Sequence, residues 1–185
     1  MPPIINYRIM QNPASICPPE IFRDLVGLRV RIWTPEHGAG IGIVECHRDV
    51  VQDIDDLFEL MFAIRFPVAQ ARPVDKYDWS DPDSMFANNT SMFNYRTYVS
   101  KSDGLRKISR HAFGVAIDIN PFWNPDMQDG VAYPGGAVYD PSHPGTLFAG
   151  SPVVLFLKSR GWIWGGDWES HQDYQHFEKP VGLSQ

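Results

Sequence analysis

Residues 114–120, with the sequence GVAIDIN, combine a strand pattern with an ionisable side chain. Val115, Ile117 and Ile119 alternate with smaller or polar residues, so these three side chains are predicted to share a buried face. Asp118 falls on the opposite face, where its neighbours include glycine and alanine, the two smallest residues. A face kept clear in this way indicates a recessed site, in which a carboxylate can bind a metal ion or move a proton.

His111 lies seven residues before Asp118. A fully extended span of that length covers roughly 23 Å, whereas two ligands of one zinc ion each lie about 2 Å from it. The chain must therefore bend near Phe113 and Gly114 if both residues bind one ion, and glycine permits such a bend. On this segment alone, a surface histidine and an unrelated strand aspartate remain an alternative.

The C-terminal segment supplies the further groups that a catalytic zinc site requires. His176, in the sequence DYQHFE, provides a second imidazole and is the third candidate ligand. Three protein ligands with an open fourth position are typical of catalytic zinc. Asp173, three residues earlier, could accept a proton from the attacking water and return it to the leaving amine.

Two other side chains are open to more than one interpretation. Glu178 would point to the same side of a strand as His176, where it either orients the imidazole ring or is a plain exposed glutamate. Arg96, in the sequence FNYR, is a candidate cation for the negative charge that develops on the carbonyl oxygen during peptide hydrolysis. A lone arginine is otherwise a surface charge.

The rest of the sequence predicts the elements that position these groups. Apolar periodicity predicts strands at residues 27–34, 40–47 and 114–120 and around WIWGG and HFEKP. Helices are predicted from Pro19, over residues 51–65, and from Pro152 to about Gly161. Residues 72–94 and 121–150 are predicted to be long loops. Short helices with mainly antiparallel strands indicate an α+β fold.

Composition excludes several classes of protein. A chain of 185 residues suits one domain spanning residues 1–185, of which residues 1–50 are the least characteristic part. A net charge of −6 without a basic block argues against a nucleic-acid partner. No apolar run approaches the roughly 20 residues of a membrane helix. Cys17 and Cys46 are either two buried thiols or one disulfide.

The pattern SxHxxGxAxDxN at residues 109–120, followed by WGGDW and DxxHFE, resembles the zinc D-alanyl-D-alanine carboxypeptidase family. That family also includes phage and bacterial L-alanyl-D-glutamate endopeptidases. The stretch DPDSMFANNTSMFNYR, residues 81–96, is similar to the segment that precedes the histidine motif in the same branch. Together these motifs cover about the C-terminal two thirds of the chain. The resemblance implies the small, mainly antiparallel sheet with flanking helices that the family shares with the Hedgehog signalling domain.

The resemblance also implies a role for each matching residue. His111, Asp118 and His176 would be the Zn²⁺ ligands, Asp173 the general acid/base, and Arg96 the family's arginine before the histidine motif. Aspartate rather than glutamate at position 173, with WGGDW ahead of it, is similar to the endopeptidase branch. The implied substrates are peptidoglycan stem peptides, cleaved at L-Ala-D-Glu or D-Ala-D-Ala.

The alternative to a peptidase is a non-catalytic zinc-binding module of the cell wall on the same fold. Such a module has no need of Asp173 and Arg96, so we favour the enzyme, and the absence of HExxH excludes the zincin class. We expect a monomer acting in the periplasm or cell wall, or delivered by a phage. The start, MPPIINYRIM, shows no signal-peptide pattern, and no separate wall-binding module is visible.

Overall fold

Short strands alternate with four helices in residues 4–100 and 104–181, the part of the chain that the computed structural model describes. The helices are α1 (Pro19–Phe22), α2 (Val51–Ala63), α3 (Asp81–Phe86) and α4 (Pro152–Ser159). The strands are β1 (Ile4–Ile5), β2 (Leu25–Thr34), β3 (Gly38–His47), β4 (Gln70–Ala71), β5 (Asn89–Thr90), β6 (Thr97–Val99), β7 (Arg106–Ile108), β8 (Ala116–Asp118), β9 (Asp126–Gln128), β10 (Val131–Tyr133), β11 (Ile163–Trp164), β12 (Gln172–Asp173) and β13 (His176–Glu178). Apart from the parallel pair β4–β5, these strands pair antiparallel.

The long hairpin β2–β3 forms one wall of the core. Leu28 and Val30 are buried while Arg29 and Arg31 are exposed, as the alternation in the sequence predicts. Helix α2 packs on the buried face of β2 through residues at helical spacing, namely Val51, Ile54, Leu57, Phe58 and Met61. The helix ends at Ala63, so the predicted extension to residue 65 is wrong, and Ile64 is exposed.

Two three-stranded sheets carry the C-terminal half of the chain. Their strand orders are β11-β13-β8 and β10-β9-β12. Ile117 of β8 and Phe177 of β13 are fully buried in the same hydrophobic cluster as the hairpin and α2. Helix α4, which begins after Ser151 as predicted, adds Val153 and Leu157 to this cluster. The fold class is therefore α+β, as predicted.

Both predicted long loops contain regular structure. Within residues 72–94 lies α3, whose N-cap residue Ser80 accepts a hydrogen bond from the Asp83 amide. Within residues 121–150 lies the hairpin β9–β10, which turns at Asp129 and Gly130, both at positive φ. The first helix begins at Pro19 as predicted and extends only to Phe22, because Leu25 already belongs to β2.

Glu45 of β3 is buried, with 2% of its surface exposed, although it lies on the sheet face opposite Val44 and Cys46. The N-terminal segment covers this face: a Cβ placed on Gly27, the partner of Glu45 across β2–β3, would lie 2.9 Å from Tyr7 Cβ. Both carboxyl oxygens of Glu45 lack a hydrogen-bond partner among the described residues. Burial and the nearby Asp75 carboxylate raise the pKa of Glu45 to about 8.

Cys17 and Cys46 are both buried free thiols, which agrees with the first of the two alternatives. None of the helices in residues 4–100 and 104–181 has the length and apolar character needed to cross a membrane.

Candidate active site

His111 is positioned by a tight turn immediately before β8. Ser109 caps the 3₁₀ turn Arg110–Phe113, and its Oγ accepts a hydrogen bond from the His111 amide at 3.3 Å. Gly114 ends the turn with φ +66°, in the left-handed region that favours glycine. The predicted bend is confirmed, and it returns the chain so that His111 lies beside the strand it precedes.

Asp118 and His176 meet through strand pairing. Strands β8 and β13 run antiparallel with Asp118 directly opposite His176, so both side chains project from the same face of the sheet. The bulky neighbours Ile117 and Phe177 point into the core instead. Asp118 is also bridged to Ser91 through two backbone hydrogen bonds, which fixes the strand from its other edge.

The three predicted zinc ligands form one compact, buried group. His111 Nε2 lies 3.2 Å from Asp118 Oδ2 and 3.2 Å from His176 Nδ1, and His176 Nδ1 lies 3.0 Å from Asp118 Oδ1. Ligands around a tetrahedral zinc ion, each about 2 Å from the metal, are separated by about 3.3 Å. The donor set and its spacing therefore fit a zinc ion.

The outer nitrogen of each imidazole has its own partner. His111 Nδ1 lies 2.7 Å from the Met92 carbonyl oxygen, which can only accept a hydrogen bond, so Nδ1 is the donor in this contact and Nε2 is the nitrogen that faces Asp118 and His176. His176 Nε2 lies 3.3 Å from Glu178 Oε2, so Glu178 contacts the ring and is not a free surface glutamate. Such partners orient histidine ligands in metal sites.

Electrostatic coupling within the group is strong. Burial opposes ionisation of Asp118, but the adjacent His111 and His176 outweigh it and lower the pKa of Asp118. Burial also disfavours the charged form of His176, yet hydrogen bonds to Asp118 and Glu178 raise the pKa of His176 to about 10. A group that holds a proton this firmly between anionic partners is suited to binding a cation in its place.

Asp173 lies next to the group on β12. Its Oδ1 is buried and has no hydrogen-bond partner among the described residues. Burial raises the pKa of Asp173 to about 8, and the Asp118 and Asp126 carboxylates add to the increase. Gly165 permits the close packing here, because a Cβ at that position would lie 2.5 Å from the Asp173 carbonyl oxygen. The WGGDW motif thus supports the strand that carries Asp173.

Arg96 is connected to His111 through the side chain of Ser109. Its guanidinium lies 2.8 Å from the Asp81 carboxylate and donates a hydrogen bond to Ser109 Oγ at 3.0 Å. Ser109 in turn holds the His111 amide. The structure therefore brings Arg96 close to the turn that bears His111, and its role toward a substrate stays a prediction.

Trp168, the last residue of the WGGDW motif, lies in the same region together with His171 and Asp126, which belong to none of the motifs. The Trp168 ring lies 5.4 Å from the His176 ring and 5.2 Å from the His171 ring. Asp126 of β9 lies directly opposite Asp173 in the β9–β12 pair, and its Oδ1 is 3.9 Å from His171 Nε2. The DG dipeptide after β9 is a hairpin signal that could have placed Asp126 on a strand.

The comparisons with known proteins agree with the motifs. Residues 103–179 match the family model described as D-alanyl-D-alanine carboxypeptidase. This region includes His111, Asp118, Asp173 and His176, whereas Arg96 lies before it. No solved structure matches the chain at a significant level. The resemblance that the sequence predicted is thereby confirmed: through residues 103–179, which carry the buried His-Asp-His group, the chain matches the D-alanyl-D-alanine carboxypeptidase family.

Proposed function

We propose that this protein is a zinc-dependent peptidase that hydrolyses a peptide bond in peptidoglycan stem peptides, outside the cytoplasm. The family match supports a peptidase acting on such peptides. The observation that carries the zinc proposal is the convergence of His111 Nε2, Asp118 and His176 Nδ1 at the spacing of tetrahedral zinc ligands.

Each residue around the proposed zinc ion would have a distinct role. His111, Asp118 and His176 would hold the zinc ion, which when bound would act as a Lewis acid toward the scissile carbonyl and the attacking water. The Met92 carbonyl and Glu178 keep the two imidazole rings in the required orientation. All three ligands are buried, so the water that reacts enters a site with little competing solvent.

Asp173 is the proposed proton carrier. Its buried and unpartnered Oδ1 is free to accept a proton from the attacking water. The same carboxyl can then donate that proton to the leaving amine, so one residue serves both the attack of water and the departure of the amine. Burial favours the protonated form of this carboxyl, which is the form that donates the proton to the leaving amine.

Replacing His176 with alanine tests the zinc site. We expect the purified variant to lose most of the zinc that the wild type holds at about one ion per chain, since one of three protein ligands is removed. Metal analysis by inductively coupled plasma mass spectrometry gives the result. His37→Ala, at a histidine with 82% of its side chain exposed, is the matched control and should retain zinc. Full zinc retention in the His176 variant would remove this residue from the site.

Replacing Arg96 with alanine tests the proposed oxyanion contact. We expect the turnover number to fall far more than the Michaelis constant changes, because stabilisation of developing charge acts in the transition state. Arg96→Lys should recover activity only in part, since the planar two-nitrogen fork is lost. Arg106→Ala, at an exposed strand arginine, controls for loss of a positive charge. Wild-type turnover in Arg96→Ala would show that the residue has only its structural contacts with Asp81 and Ser109.

A further inference from the structure

A cleft of about 350 Å³ lies on the far side of the strand that carries Asp173. In the β9–β12 pair, Asp126 and Asp173 are directly opposite each other and project from one face, the face of the candidate active site. Met127 and Gln172, the neighbouring pair in the same register, project from the other face and line the cleft. Tyr174, the residue after Asp173, lines it as well. The cleft and the candidate active site therefore have β12 as a common wall.

The charged side chains that line the cleft are carboxylates. Asp129, in the turn of the β9–β10 hairpin, and Glu169 are both exposed, and neither has an ion-pair partner among the described residues. The lining residues include no lysine or arginine, and the Nε2 atom of their histidine, His171, lies 3.9 Å from Asp126 Oδ1. The electrostatic field in the cleft therefore favours a positively charged ligand over an anion.

A zinc ion at the proposed site would not reverse this preference. Its two positive charges would lie among the carboxylates of Asp118, which contacts both histidine ligands, and Glu178, which contacts His176. These two groups balance the charge of the ion within the active site itself, whichever protonation state Asp173 has. The carboxylates of the cleft are on the other face of β12 and remain available to a cation.

The uncharged lining residues fit an ammonium group. The rings of Tyr139 and Tyr174 are stacked in parallel with their centroids 3.7 Å apart, and the face of a tyrosine ring attracts cations. Gln172 Nε2 donates a hydrogen bond to the Trp168 carbonyl oxygen, so Oε1 is the atom of this amide left to accept one. A primary ammonium has three N–H donors and no acceptor. The cleft thus presents acceptors and aromatic rings to a group that can only donate.

We propose that this cleft is a subsite for a substrate side chain that ends in a primary ammonium group. The inference rests on the proposed function, in which the bond to be cleaved lies beside Asp173. Because Tyr174 follows Asp173 directly, a long side chain near that bond can extend past β12 into the cleft. The enzyme would then prefer stem peptides with a lysine-like residue over peptides with a neutral side chain of similar length. Two exposed ion pairs and one cation–π contact give a preference on the order of 10-fold.

The test compares two peptides, L-Ala-D-Glu-X-D-Ala-D-Ala with lysine or Nε-acetyl-lysine as X, which differ in this charge and contain both candidate bonds. For the zinc-loaded wild type, kcat/KM should be about 10-fold higher for the lysine peptide. In the double variant Asp129→Asn with Glu169→Gln this ratio should fall toward one, and asparagine tolerates the positive φ of position 129. The matched control is Glu36→Gln with Asp49→Asn, which removes two other exposed carboxylates and should leave the ratio unchanged.

A binding measurement separates this inference from the proposed function. Analogues of the two peptides with ketomethylene groups in place of both candidate bonds cannot be hydrolysed, and they are titrated into the wild type by calorimetry. The lysine analogue should bind more tightly, by a margin that shrinks as salt concentration rises. Equal binding and equal cleavage of the two peptides, or an unchanged ratio in the double variant, overturns the subsite alone. Charge-selective binding without cleavage of either peptide overturns the proposed function alone, and no binding of either analogue overturns both.

Discussion

Asp173→Asn is expected to lower the rate of stem-peptide hydrolysis by on the order of 10²–10⁴ while zinc content stays at the wild-type level. Asparagine keeps the size of the side chain but cannot carry a proton between the attacking water and the leaving amine. The loss should appear in the turnover number, because the missing step belongs to the reaction and not to substrate binding. Purified peptidoglycan, with released fragments identified by mass spectrometry, gives the rate and the cleaved bond together.

The matched control is Asp167→Asn, at a half-exposed aspartate of the WGGDW motif that pairs with Lys158. It should retain activity, because its carboxylate lies on the surface. Zinc is measured on the same samples, since a loss of metal in Asp173→Asn would make Asp173 a ligand. Undiminished cleavage with full zinc would place the proton carrier elsewhere. A wild type that binds zinc but cleaves no stem peptide would instead favour a non-catalytic module.

Glu45→Gln is expected to stabilise the protein at neutral and alkaline pH and to have little effect near pH 4. The pKa of Glu45 is raised from 4.5 to about 8, so between these values the folded state keeps a proton that the unfolded state loses. Wild-type stability therefore falls as pH rises through this window, whereas glutamine does not titrate. We expect a gain on the order of 2–4 kcal/mol at pH 8–9, or about 5–10 °C in Tm for a chain of this size.

Thermal unfolding followed by circular dichroism between pH 4 and pH 9 measures this effect as the difference between variant and wild type at each pH. Glu169→Gln, at an exposed glutamate, is the control and should melt with the wild type throughout. Parallel Tm curves for Glu45→Gln and the wild type would show that Glu45 ionises in the folded protein without cost. The groups that face Glu45 are Tyr7, Asp75 and Lys76, and they are identical in all three proteins.

The sequence identified the residues of the candidate site, but it did not predict the strand pairing that brings them together. Small residues around Asp118 identified a cleared strand face, and Gly114 identified the bend that brings His111 back. The pairing of Asp118 with His176 joins positions 58 residues apart, and strand alternation predicts a face but not a partner strand. Asp126 was missed for this reason, because its only relation to Asp173 is the register of β9 with β12.

The burial of Glu45 on the outer face of the β2–β3 sheet could not be predicted from the sequence either. The alternation in β3 assigns Glu45 to the side away from the core, which is where an exposed glutamate belongs. Tyr7 and the segment around it then cover that side, and no local pattern in either segment predicts the contact. Helix α3 and the β9–β10 hairpin, which lie in the predicted long loops, by contrast had local signals in the Ser80 cap and the Asp129-Gly130 turn.

The strand order β11-β13-β8 also determines when His111, Asp118 and His176 can come together. Strand β13 comes last of the three along the chain and lies between the other two. Strands β8 and β11 pair with β13 and not with each other, so this sheet cannot begin to form before β13 is present. A growing polypeptide on the ribosome that stops short of His176 has His111 and Asp118 but neither the third ligand nor the strand that aligns them. During synthesis, His111, Asp118 and His176 therefore cannot be brought together until the chain has been made past Glu178 and β13 has been inserted between its two neighbours.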